Sequence, residues 1–170
     1  DLPSGASCVA APLVVSPDSS SSGAYRSPYE TAGHTSAGYF SVGGGTAYGG
    51  TANPAILALD GLASSISLFW GSPDTYNSLD LVNGGAVVAT ITGGQFSIQA
   101  LEASFVTVSS DNAGEYFDTA KFYSQNTSGD TRNAFEFSNV TAAPVPVPAA
   151  GLLLMGALGT LGVMRRRKRS

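Results

Sequence analysis

From residue 36 onward, short apolar or alternating runs recur, each closed by Gly, Asn or Asp. The runs AGYFSVG, AILALDG, SSISLFWGS, SLDLVNGG, AVVATITGG, QFSIQAL, SFVTVSS, DTAKFYS and AFEFSNV each read as a strand. Within SSISLFWGS, Ile66, Leu68 and Trp70 share one face. Leu79 and Leu81 share a face in SLDLVNGG, with Asp80 opposite. Asn83-Gly84 predicts a hairpin, because that dipeptide suits the tight turns that match strand twist, and AVVATITGG is its return strand. No body segment carries a helical period. Strands this short, with turn residues about every ten positions, predict an all-β fold: an antiparallel β-sandwich, jelly-roll-like. Its expected core is aromatic, from Phe69, Trp70, Phe105, Phe117, Phe122, Phe135 and Phe137.

The two ends break this pattern. Residues 1–35 are rich in Ser, Pro, Gly and Ala, and SPDSSSSG within them reads as a flexible loop. The run CVAAPLVV could add a first strand there. The β-domain is then expected over residues 36–141, followed by a Pro-rich linker over 142–148. Pro144, Pro146 and Pro148 alternate with Val, and proline fixes φ and removes a donor, so that linker should be extended. Residues 149–164 are sixteen uncharged positions, apolar on every face, and read as a single hydrophobic transmembrane helix. Such a helix measures about 24 Å, short for a permanent span of a bilayer core about 30 Å thick. Residues 165–170 form a basic tail of Arg165, Arg166, Arg167, Lys168 and Arg169 before Ser170. Cations directly after an apolar helix stay cytoplasmic, which places the body outside.

Charge sharpens the division. The chain is 43% hydrophobic but only 12% charged, and its 21 glycines suit turn-rich β-structure. All twelve acidic residues lie before Pro144, against three cations, Arg26, Lys121 and Arg132, so the body carries −9 and the tail +5. An acidic body excludes nucleic acid as a partner, because phosphates need facing cations. The single Cys8 excludes an intrachain disulfide and a Cys-rich zinc site, and reads as an incidental thiol. The sequence opens at Asp1 without a signal peptide, so export implies a targeting segment removed or lying outside it.

The order of the C-terminal features, VPVPAAGLLLMGALG and then RRRKR, resembles the PEP-CTERM class of bacterial sorting signals, most nearly its VPLPA-CTERM variant. The motif positions are Val145, Pro146, Val147, Pro148, Ala149 and Ala150, with Val147 where the variant usually has Leu. The resemblance implies a Gram-negative bacterium and an exported protein held in the inner membrane. It also implies processing by an exosortase-type membrane enzyme, final placement at the cell surface or outside the cell, and a link to exopolysaccharide or biofilm. The segments SISLFWGSPDTYNSLDL and NAFEFSNV resemble recurring parts of β-rich domains in such exosortase substrates, and they bring no catalytic residues with them.

Candidate chemistry in the body is sparse. His34 is the only histidine, and no GxSxG motif accompanies it. Carboxylate pairs such as Asp74 with Asp80, or Glu102 with Glu115, could serve glycoside hydrolysis, but any acidic domain offers such pairs, and the expectation is that the chain is not an enzyme. In GSPDTYNSLD, Asp74, Asn77 and Asp80 are candidate calcium ligands; the favoured reading is turn capping. No other cofactor is expected. The alternative to a plain surface or matrix protein is a carbohydrate-binding module using Tyr25, Tyr29, Tyr39, Tyr48 or Tyr76 against polysaccharide.

Overall fold

A computed structural model describes residues 2–32, 38–43, 52–96 and 103–145. These form nine antiparallel strands: β1 (Ser7–Ala10), β2 (Leu13–Val15), β3 (Tyr39–Val42), β4 (Ala55–Gly71), β5 (Asn77–Asn83), β6 (Ala86–Thr92), β7 (Ser104–Ser109), β8 (Phe117–Ser124) and β9 (Phe135–Pro144). The longest helix among the described residues is α1, the four residues Tyr29–Ala32. The chain is all-β, as its alternation predicts.

Strand β4 organises the molecule. It is 17 residues long and joins AILALDG to SSISLFWGS, which the sequence pattern reads as separate strands. Its first half lies between β1 and β8, and its second half between β7 and β9. Between the halves, Asp60, Gly61 and Leu62 are exposed, the register slips, and Gly61 takes φ +103°. An irregularity of this kind can change which alternate residues face the core. Ala55, Leu57 and Ala63 keep the odd positions buried across this one, and the parity changes at the next slip, between Ala63 and Ser65, beyond which Ile66, Leu68 and Trp70 are buried. The pairing order runs β2-β3-β9-β4-β8-β5-β6, with β1 and β7 also on β4.

The two arms of this sheet meet through their aromatic faces. Phe122 of β8 stacks on Phe137 of β9 with centroids 4.1 Å apart, though no ladder joins those strands. Trp70 stacks on Phe135 at 4.3 Å. All four rings are buried, together with Phe117, and each contributes about 1.5–3 kcal/mol of apolar burial before entropy. Phe105 departs from the expected core: it is 67% exposed on the outer face of β7, tilted against Phe69.

The N-terminal segment carries structure of its own. CVAAPLVV splits at Ala11-Pro12 into β1, on the first half of β4, and β2, on β3. Residues 16–32 then cross the outer face of β9. Tyr29 stacks on Phe69 at 5.6 Å, and its hydroxyl lies 2.7 Å from Ser138 Oγ. Strand β9 is thereby covered on both sides, with Phe135 and Phe137 inward and Glu136 and Ser138 buried on the other face. It also runs further than the expected domain, pairing Ala142, Ala143 and Pro144 with β4. The expected helix over 149–164 and the basic tail lie outside the described residues.

Candidate functional site

The outer face of β9 ends in a cavity of about 560 Å³. Three pieces of chain build it. One is the serine-rich strap at 20–26, folded by the reciprocal bonds Ser21 N–H to Tyr25 O and Tyr25 N–H to Ser21 O, at 2.9 and 3.1 Å. A second is the β4–β5 turn through Ser72, Asp74 and Tyr76. The third is the start of β9 at Asn133, Ala134 and Glu136.

Asn77 fixes the last two together. Its side chain is fully buried; Nδ2 donates to Ser72 O at 3.2 Å and to Ala134 O at 3.1 Å. Its Oδ1 lies 3.1 Å from Ser124 Oγ, so the whole amide is occupied. The Tyr76 hydroxyl lies 2.7 Å from both Asp74 Oδ2 and Asn133 O. Partial burial raises the Asp74 carboxyl above its ordinary range, against the opposing bond from Tyr76.

Glu136 is the most perturbed group. It is 2% exposed, and its Oε1 accepts the Arg26 backbone N–H at 2.8 Å. Its Oε2 is buried without a hydrogen-bond partner. Burial pushes its pKa up to about 8, the Asp74 charge adds to the rise, and the Arg26 backbone bond opposes it. The Arg26 charge offsets the rise only in part, and its Nε donates to Glu30 Oε2 at 2.7 Å. Glu30 in turn is lowered by the Ser20 hydroxyl first and by Arg26 second.

The structure separates the three candidate calcium ligands. Side chains alternate along β5, so Asn77 points into the core while Asp80 projects from the opposite face. Asp80 accepts the Thr90 hydroxyl at 2.6 Å and is paired in register with Lys121. Asn77 bonds the turn backbone at Ser72 O, as turn capping predicts, whereas Asp74 takes the Tyr76 hydroxyl instead of a backbone N–H. Among the described residues no group of three His, Cys, Asp or Glu side chains is placed to hold a metal ion. Of the tyrosines considered for glycan stacking, Tyr29 and Tyr39 are buried, Tyr25 and Tyr76 line the cavity half-buried, and Tyr48 lies outside the described residues. Glu115 accepts from Asp111 N–H and Asn112 Nδ2 within its own turn; its proposed partner Glu102, and His34, lie outside the described residues.

Sequence reasoning missed Glu136. In AFEFSNV it alternates with two core phenylalanines, which assigns it to a solvent face. The strap that covers that face comes from residues about a hundred positions earlier, a contact that local periodicity does not carry.

At the other end of β9, Val145 is the first residue of the expected sorting motif, and its N–H donates to Leu62 O at 2.9 Å. Pro146, Val147, Pro148, Ala149, Ala150 and the cations from Arg165 to Arg169 lie outside the described residues. Among the described residues no helix is long and apolar enough to cross a membrane. Comparison with protein-family models, with curated proteins and with solved structures returns no match.

Proposed function

We propose that the chain is an exported, non-enzymatic bacterial surface or extracellular-matrix protein, sorted through its C-terminal tail. In this reading residues 149–164 span the inner membrane once, the basic block stays inside, and the body lies outside. An exosortase-type enzyme then processes the tail at or near VPVPA, leaving the body at the cell surface or outside the cell, in company with exopolysaccharide. The body is read as a two-layered, jelly-roll-like sandwich, its layers being the two arms that share β4.

One observation carries most of this reading. The buried strand β9 continues directly into the motif, and its last backbone bond is made by Val145 itself. Three residues, four steps of chain, then separate Val145 from Ala149, a reach of at most about 14 Å. A β-domain tied that closely to an apolar helix sits at the membrane surface. Between them lie Pro146 and Pro148, residue types that favour the extended shape an enzyme grips as an added strand. The cation cluster after the apolar run supports the orientation.

Intact-mass analysis of cell-associated and secreted protein, from hosts with and without the exosortase-type enzyme, tests it. The secreted form should lack the Arg-rich end, and only when the enzyme is present. Secreted protein that keeps RRRKR overturns the processing step.

A further inference from the structure

We propose that the cavity between the 20–26 strap and the β4–β5 turn binds a ligand presenting a primary ammonium group. This goes beyond the sorting role and does not depend on it.

Charge selects the class. The cavity wall carries Glu30, Asp74 and Glu136, and its one cation, Arg26, is already engaged by Glu30. Anionic ligands such as phosphates or carboxylates would meet a wall of acids, whereas an ammonium group favours the ionised form of both Asp74 and Glu136. The body's excess of acids draws cations to the same face of the equilibrium. A metal ion is a poor occupant, because no three acidic side chains converge among the described residues.

Glu136 points to the same class independently. A buried acceptor left without a donor costs more than a hydrogen bond returns, so native structures rarely keep one without a use. Oε2 of Glu136 is such an acceptor once the carboxyl is ionised beside a bound cation, on a residue that lines the cavity. An ammonium group offers three donors and no acceptor, which matches a wall of carboxyl and carbonyl oxygens. Tyr25 and Tyr76 add rings of the kind whose faces attract cations. A volume of about 560 Å³ admits a small organic amine and not merely an ion.

The test titrates the full chain in detergent with glucosamine and with 1,4-diaminobutane, using N-acetylglucosamine as the neutral counterpart and calcium chloride as the metal control. Saturable binding of an amine is expected, with no measurable binding of N-acetylglucosamine. Glu136→Gln and Asp74→Asn should each weaken amine binding by at least about tenfold, the scale of one charge-assisted hydrogen bond. Asp74→Asn, at the half-buried rim, decides the matter if Glu136→Gln fails to fold. No saturable binding of either amine overturns the proposal. So does N-acetylglucosamine binding as tightly as glucosamine, calcium competing out the amine, or an Asp74→Asn variant that binds like the parent.

Discussion

Glu136 is held as a neutral acid by its surroundings, and this has a consequence for stability. The groups facing it are Arg26 on the strap, Asp74 and Tyr76 at the β4–β5 turn, and Tyr39 on β3. Its ordinary pKa is 4.5, and in the fold it rises to about 8. Between those values the unfolded chain has released the proton and the folded chain has kept it. Stability therefore falls as pH rises through this window, with the penalty complete above pH about 8. The Asp74 carboxyl, also raised, adds in the same sense. Glu136→Gln removes the titration while keeping the shape. Thermal unfolding from pH 4 to 9 should show the parent losing stability across the window and the variant losing less, by the share that Glu136 contributes, with the variant the more stable at pH 9. A parent curve that rises towards pH 9 would contradict this account. Two phenylalanines give a second contrast at the same scale. Phe122 is 1% exposed and stacked between β8 and β9, so Phe122→Ala should cost about 3–5 kcal/mol by denaturant unfolding. Phe105, at 67% exposure, is tilted on Phe69 at the surface, and Phe105→Ala should cost about 1 kcal/mol or less.

Within the elements, alternation made most strands visible in the sequence, and glycine geometry marks where it stopped. The β5–β6 hairpin was legible, but its loop falls one position later than Asn83-Gly84. Asn83 pairs with Ala86, and Gly84 and Gly85 form the turn with φ +54° and +90°. Both positions face open space, so a side chain there meets only backbone strain. Gly84→Asn should be close to neutral, because Asn tolerates the left-handed region and creates the preferred Asn-Gly turn. Gly85→Val should lose about 1–2 kcal/mol in the same unfolding assay. Strand β4 was hidden for a related reason. The buried parity flips between Ala63 and Ile66, where the register on β9 slips between Ala63 and Ser65, so a reader of period two sees an ending where the chain only changes neighbours. The same happens in β9, where Asn139 adopts φ +50° beside a register shift and Val140 takes the inward place after Phe135 and Phe137. The cavity was illegible altogether: Tyr25, Asp74 and Glu136 are far apart in the sequence, and what joins them is the strap crossing β9. Tyr25 and Tyr76 were singled out for glycan stacking and Asp74 as a calcium candidate, each by itself, and Glu136 was not singled out at all.

Across the whole molecule, the body and the tail are coupled through one strand. Pairing of Ala142, Ala143 and Pro144 with β4, and the bond from Val145 to Leu62, fix the point where the chain leaves the body. If VPVPA is the segment that the processing enzyme reads, what matters is the motif and its distance from the apolar helix, not the distance from the body. Eight Gly/Ser residues inserted between Pro144 and Val145 separate these possibilities. They leave the motif, the helix and the basic block intact, and lengthen the tether by about 16 Å as a flexible coil. They also release Val145 from Leu62, while every strand pairing up to Pro144 remains. Unfolding of the body should therefore change by less than about 1 kcal/mol, the scale of one exposed backbone bond. The processed form should accumulate at least as fast as in the parent, because a longer tether takes the body away from the membrane surface where the enzyme must approach. Pulse-chase with mass analysis of the released protein reads both rate and position. Processing that fails in the insertion variant, with the body still folded, would mean that the end of β9 is itself gripped and that the sheet presents the motif, making the recognised unit a strand of the domain rather than a free linker.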